Sequence, residues 1–335
     1  MQALYLHGPG DLRTHDMAAP EAGPRDVVIR TATIGICGSD LGYLAMGGVV
    51  GPSDKPIPLG HELCGTVTQV GAEVQGFAVG DRVIVNPMFN GIGNGGPEGG
   101  FADQLLIRDV AGQPDSLLQM PATLSAEAGA LAEPLAVAVH AVNRSEAKPG
   151  DKVAIFGGGT IGLAVLAVLK QRGVDDVVLF ELSALRRERA LVMGARAALD
   201  PREQPAAKAL GELHGERLLF RKPVVATQIF IDAAGAPGLF DEIIAMAPTN
   251  ATVVAVAAPK KPVVVDFQTV QIKELTLRGS LAYPNEFPQA LQLLADGFDL
   301  SPIVTHRFQG NEVLQAFATA TKPNEAIKVL VSYSD

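Results

Sequence analysis

Short runs of alternating apolar and polar positions recur through roughly the first 150 residues, for example 26–30, 65–70 and 81–85. Glycine and proline punctuate them, a spacing that predicts an irregular, β-rich domain. Around Lys148-Pro149-Gly150-Asp151 the pattern changes. Residues 153–156 are continuously apolar, as expected of a parallel strand buried on both faces. A helix over 161–172, a second strand over 177–180 and a helix over 184–193 follow. Further strands are expected at 229–232, 252–256 and 275–278, and the repeated strand–helix order predicts a doubly wound parallel sheet. Two amphipathic stretches, 287–295 and 313–319, precede a last apolar strand over 327–331, and these are expected to pack back on the first domain. The segment 201–222, rich in charge and alanine, gives no clear pattern.

This reading divides the chain into a β-rich domain over 1–145, a parallel-sheet domain over 146–283 and a C-terminal return over 284–335. The run 153–169 has the length of a short membrane span, but Gly157-Gly158-Gly159 at its centre makes a poor helix interior. A spanning helix needs about 20 apolar residues, so the run reads as a buried strand turning into a buried helix. No membrane partner is expected. Residues 1–10 lack the features of a secretory signal, which predicts a cytoplasmic protein.

Composition narrows the function classes. The chain has 335 residues, 47% of them hydrophobic and 19% charged, which suits two folded α/β domains. A formal net charge of −9, with no basic run interleaved with aromatics, argues against a nucleic-acid partner. There are two cysteines, Cys37 and Cys64. They support neither a disulfide framework nor a four-cysteine zinc site.

After the strand ending at Phe156 comes Gly157-Gly158-Gly159-Thr160-Ile161-Gly162, which satisfies G-x-G-x-x-G. Glycines at the first, third and sixth places permit a tight turn, close approach of amides to a pyrophosphate and close helix–strand packing. Gly157, Gly159, Thr160, Ile161 and Gly162 are thus candidate dinucleotide contacts. The motif alone is weak, since a glycine-rich turn can be purely structural. Its context strengthens it: the second strand ends at Glu181, where a carboxylate can accept hydrogen bonds from ribose hydroxyls and repel a 2′-phosphate. NAD is therefore expected over NADP. Arg186 and Arg187 follow and could temper that preference, although a solvated helix face explains Arg187 equally well.

In the first domain, Cys37-Gly38-Ser39-Asp40 and Gly60-His61-Glu62 supply the thiolate and imidazole that zinc prefers. Glu133 stands as one charged residue in the otherwise apolar stretch 130–140, and burying a lone carboxylate is costly unless it is paired or bound to metal. It is the leading third ligand, with Glu62 its competitor. Each residue also has an ordinary explanation: a small buried thiol, a structural histidine, a helix-capping acid.

Cys37-Gly-Ser-Asp40, Gly60-His-Glu62, Asp81-Arg-Val83, Gly99-Gly-Phe-Ala102, Ala132-Glu-Pro-Leu135, the glycine turn and Lys273-Glu274 together resemble the medium-chain, zinc-dependent dehydrogenases. The resemblance spans nearly the whole chain, and Glu133-Pro134 is similar to the branch containing sorbitol, idonate and butanediol dehydrogenases. It implies a GroES-like catalytic domain and a Rossmann domain with the site in the cleft between them, in a homodimer or homotetramer. It also implies hydride transfer between a secondary alcohol and NAD, with one catalytic zinc. Cys37 and His61 would be direct ligands and Glu62 one that exchanges with water, while Glu133 would bind directly or through that water. Asp40 would orient the imidazole of His61, Ser39 would hydrogen-bond the substrate alcohol and begin its proton relay, and Tyr43 would line the substrate pocket.

Two departures stand out. Many relatives carry a histidine in the proton relay where this chain has Gly42, and many carry four cysteines around a structural zinc where this chain has the Gly/Asn/Pro-rich stretch 86–99. One zinc per subunit is therefore expected. Two other readings remain open from the residues: a metal-free quinone or alkene reductase on the same scaffold, and a non-catalytic nucleotide-binding protein.

Overall fold

The computed structural model describes residues 1–259 and 262–333, which form two compact units. The first comprises Met1–Glu133 with Phe287–Asp335, and the second Pro134–Glu286.

In the first unit, a seven-stranded sheet runs in the order Val304–Gln309, Lys328–Ser332, Val27–Gly35, Glu62–Val70, Arg82–Val85, Leu117–Gln119, with Gln104–Ile107 also paired to Val27–Gly35. All these pairings are antiparallel except that of Val304–Gln309 with Lys328–Ser332. A three-stranded sheet of Asp11–Asp16, Gln2–Gly8 and Ile57–Pro58 lies beside it in the unit. Leu4, Leu6, Ile29, Ile34, Leu63, Phe101, Phe317 and Val331 bury their side chains in one core, each fully buried large aliphatic or aromatic side chain contributing about 1.5–3 kcal/mol. The ring centroids of Phe101 and Phe317 lie 5.1 Å apart in an edge-on contact, so the helix Val313–Ala320 is keyed into this core. The strand expected to begin at 65 begins at Glu62, because its hydrogen-bonded register with Val27–Gly35 continues to the pair Glu62–Gly35.

The second unit carries a six-stranded, all-parallel sheet in the order Ala197–Leu199, Asp176–Phe180, Lys152–Phe156, Ile229–Asp232, Thr252–Ala255, Thr276–Gly279. The chain starts in the middle of the sheet, builds outward to one edge, then returns to build the other half. That reversal places a crevice at the carboxyl ends of the central strands. The helices Thr160–Gln171 and Ala184–Val192 fall where the apolar periodicity places them. The segment 201–222 contains the helix Ala206–His214 and most of a two-stranded hairpin, Glu216–Leu219 with Lys222–Val225. No helix among the described residues is long and apolar enough to cross a membrane.

Candidate metal centre and nucleotide site

Cys37 is the extended N-cap residue of the helix Gly38–Met46. Asp40, in the first turn, reaches back so that its Oδ2 accepts the Cys37 amide proton at 2.9 Å, closing a capping box that fixes Cys37 relative to the helix. Its other oxygen, Oδ1, is buried without a hydrogen bond and faces the equally unbonded Nδ1 of His61 at 3.6 Å. The opposite ring nitrogen, Nε2, lies 3.3 Å from Ser39 Oγ. Asp40 thus sits on the side of the imidazole expected of an orienting carboxylate, although at 3.6 Å the two atoms do not form a hydrogen bond.

His61 and Glu62 enter at the start of the strand Glu62–Val70. Gly35 pairs with Glu62 on one side and with Leu330 on the other. A β-carbon on Gly35 would fall on the Glu62 carboxylate and on the end of the Lys328 side chain. Because Gly35 has none, Lys328 and Glu62 meet across the middle strand as an ion pair, with relative exposures of 0% and 1%. Lys328 also donates to the carbonyl oxygen of Ile36 at 3.0 Å.

One donor atom from each of Cys37, His61 and Glu62 lies within 4.8 Å of the other two. Sulfur, nitrogen and oxygen donors in one cluster, with Cys37 half-buried and His61 and Glu62 buried, match the set that zinc takes. The electrostatics agree. Burial, aided by the charge of Glu62, pushes the Cys37 thiol up. For His61, burial opposes the imidazolium, but Asp40 and Cys37 outweigh it and raise its pKa well above the ordinary value. These shifts show a pocket rich in acidic donors that a divalent cation would neutralise. Glu133, 9% exposed at the start of the helix Ala132–Ser145, stands outside this three-residue group, but its charge acts on both Cys37 and His61. Of the four ligands expected from the sequence, three gather within 4.8 Å of one another and Glu133 is not among them. Glu62, ranked behind Glu133 on the residues alone, is the acid brought into the cluster.

Ser39 and Tyr43, one helical turn apart, share a face of the helix Gly38–Met46. Two residues not singled out from the sequence also belong here. Lys328 lies inside a strand read as apolar, where a lone lysine was the available signal. Asn94, whose Oδ1 accepts the Tyr43 hydroxyl at 3.1 Å, carries no sequence signal.

In the second unit, Gly157 has a φ of +100°, and a β-carbon on Gly162 would collide with the Gly157 carbonyl. The first and last glycines of the motif therefore serve the tight turn and the close packing of helix on strand. Gly159 is the N-cap of Thr160–Gln171, so the helix that begins at Thr160 and Ile161 opens directly after the glycine turn. The Glu181 carboxylate accepts amide protons from Gly158 at 2.7 Å and Ser183 at 2.8 Å, and Arg186 approaches it at 3.9 Å. Gly157, Glu181 and Leu182 line a cavity of about 430 Å³ with Ala234 and Pro237. Arg187, for which a solvated face was one reading, donates to the carbonyls of Glu181 and Leu182 and pairs with Asp200 at 3.1 Å. A larger cavity, about 680 Å³, lies beside the 216–225 hairpin and Met246, but it includes neither the glycine turn nor Glu181.

With this geometry in view, comparison with known proteins assigns the family. Residues 23–143 match the alcohol dehydrogenase GroES-like domain and residues 160–296 the zinc-binding dehydrogenase family. The chain belongs to the zinc-binding alcohol dehydrogenases. Sorbitol dehydrogenase of Rattus norvegicus is 32% identical over 345 residues, covering 98% of this chain and 95% of that protein. (R,R)-butanediol dehydrogenase of Bacillus subtilis is 31% identical over 357 residues, covering 99% of each. The crystal structure of the 2R,3R-butanediol dehydrogenase from Bacillus subtilis superposes with a TM-score of 0.87 at 30% identity, covering 99% of both chains. The GroES-like and Rossmann-like folds are therefore those expected, and the protein is an oxidoreductase acting on CH–OH groups.

Proposed function

We propose that this zinc-binding dehydrogenase oxidises a small secondary alcohol bearing a neighbouring hydroxyl, such as a vicinal diol, sugar alcohol or sugar acid, with NAD as hydride acceptor. Cys37, His61 and Glu62 would hold one zinc ion, Glu62 exchanging with water and Glu133 binding directly or through that water. The observation that carries the reading is the sulfur, nitrogen and oxygen cluster of Cys37, His61 and Glu62. Zinc there would supply Lewis acidity, favouring loss of the substrate's hydroxyl proton in oxidation and polarising the carbonyl in reduction.

The remaining roles fall to the chain's own groups. Asp40 Oδ1 holds Nδ1 of His61 toward itself and so turns Nε2 toward Ser39. The Ser39 hydroxyl begins the proton relay, accepting the substrate's hydroxyl proton as its own passes on to water, and Tyr43 borders the substrate on the same helical face. The Glu181 carboxylate, fixed by two amides, recognises the ribose hydroxyls and disfavours a 2′-phosphate. The glycine turn and the first turn of Thr160–Gln171 receive the pyrophosphate. The same resemblance supports a cytoplasmic homodimer or homotetramer.

Initial rates across vicinal diols, sugar alcohols and aryl alcohols, with NAD⁺ and NADP⁺ in parallel, test this reading. The expected result is a higher kcat/KM with NAD⁺, about one zinc per chain by elemental analysis, and loss of turnover with retained NADH binding in Cys37→Ser. Preference for NADP⁺ would overturn the role of Glu181, and full activity in zinc-free Cys37→Ser would remove the metal from the reaction.

A further inference from the structure

Residues 86–99 are held tightly against the metal-centre strand. Gly93, at φ +65°, packs its backbone on that of Gly60, the residue before His61, so closely that a β-carbon would overlap the Gly60 carbonyl. Ile92 beside it is 1% exposed. The Gly93 amide donates to the Glu98 carbonyl at 2.8 Å and the Asn94 amide to the Gly91 carbonyl at 2.9 Å. Asn94 is therefore presented from a fixed backbone, and its side-chain oxygen meets the hydroxyl of Tyr43.

We propose that Asn94 is a specificity-determining, positioning residue: by accepting the hydrogen bond of the Tyr43 hydroxyl, it leaves the Tyr43 oxygen as a hydrogen-bond acceptor for the second hydroxyl of a vicinal diol. The inference rests on the alcohol-oxidising reading above and extends it to substrate selection. A phenol has one proton, and an amide oxygen has none to give. With that one proton directed at Asn94 Oδ1, the phenolic oxygen can only accept. Ser39, one helical turn before Tyr43 on the same helix, also touches Nε2 of His61. A substrate hydroxyl within reach of Ser39 therefore has Tyr43 next to it. Adjacent oxygens of a gauche vicinal diol are themselves about a hydrogen-bond length apart, so one can occupy the reacting position while its neighbour donates to Tyr43. A mono-alcohol offers no such donor.

The test uses the zinc-loaded full chain as wild type, Asn94→Ala, Asn94→Asp and Tyr43→Phe. Two quantities are compared for the stereoisomers of 2,3-butanediol against 2-butanol: kcat/KM with NAD⁺, and calorimetric affinity without cofactor. The expected result is a diol-to-mono-alcohol ratio about tenfold lower in Asn94→Ala and in Tyr43→Phe. In Asn94→Asp, whose carboxylate still accepts the phenolic proton, the ratio should recover. Equal losses for both alcohols, or an unchanged ratio in Asn94→Ala, would overturn the proposal. If the wild type oxidises neither alcohol, the proposed reaction fails, and the calorimetric ratio still decides the role of Asn94.

Discussion

Replacing Lys328 by methionine keeps the length of the side chain and removes its ammonium from a position with 0% exposure, leaving the carboxylate of Glu62, 1% exposed, without that partner. It also removes the hydrogen bond to the Ile36 carbonyl. An exposed ion pair would cost about 0.2–1 kcal/mol to break. Here water cannot replace the lost cation, and removing one partner of a buried pair costs about 3–5 kcal/mol. With an m value of about 3 kcal/mol/M, the urea midpoint should fall by roughly 1–1.7 M. The assay is urea unfolding followed by far-ultraviolet circular dichroism, on protein stripped of metal by a chelator so that ion binding does not enter the balance. Lys328→Met combined with Glu62→Gln leaves no unpaired charge and should recover most of the loss. A midpoint shift below about 0.3 M in the single variant, or a double variant no more stable than the single, would refute the assignment of this stability to the charge pair.

Other groups give equally direct expectations. Burial pushes the Cys64 thiol up to about 12, against about 8.5 in an unfolded chain. Because the folded pKa is raised, this group's contribution to stability is complete below pH 8.5 and declines as pH rises toward 12, by about 1.4 kcal/mol per pH unit. Alkaline unfolding of Cys64→Ala should show a correspondingly shallower pH slope, and an identical slope would contradict the burial argument. Gly162→Ala should weaken NADH binding by more than about tenfold through overlap with the Gly157 carbonyl. Zinc content should be unchanged, because the metal ligands lie in the other unit. Fluorescence titration of NADH, with elemental analysis of the same samples, checks both statements.

The fold's outline was legible where local pattern and burial agree. Residues 153–156 and 177–180 are buried on both faces as parallel strands, so their continuous apolar runs announced them. The hairpin at 216–225 was not legible because its turn residues, Phe220 and Arg221, have φ of 48° and 66° without being glycine or asparagine. The helix Ala206–His214 before it begins at Pro205 without a side-chain cap, so it carries no start signal either. Cys37 and His61 were recognisable because their residue types have few chemical uses at such positions. That Glu62 rather than Glu133 lies within 4.8 Å of Cys37 and His61 depends on the register that sets Glu62 against Gly35, a long-range fact that no local pattern contains. Lys328 was missed for the same reason: its role depends on two strands far from it in sequence. Ser39 and Tyr43 were singled out by the family resemblance, whereas Asn94 lies in a stretch whose conformation depends on packing against Gly60.

The glycine at position 35 also has a consequence for the order of folding. The groups that meet over it, Glu62 and Lys328, are separated by 266 residues, and the continuous second unit, Pro134–Glu286, lies within that interval. Joining them through an unfolded excursion of that length would carry a loop-closure cost that a preformed second unit reduces, since much of the intervening chain is then already compact. The Rossmann-like unit has no such interruption and can fold from contiguous sequence. The ion pair of Lys328 and Glu62 is therefore expected to form late in folding, when the strand Lys328–Ser332 docks beside Val27–Gly35. Until then Glu62 remains solvated, and a nascent Cys37–His61 site would meet metal ions without its final shape.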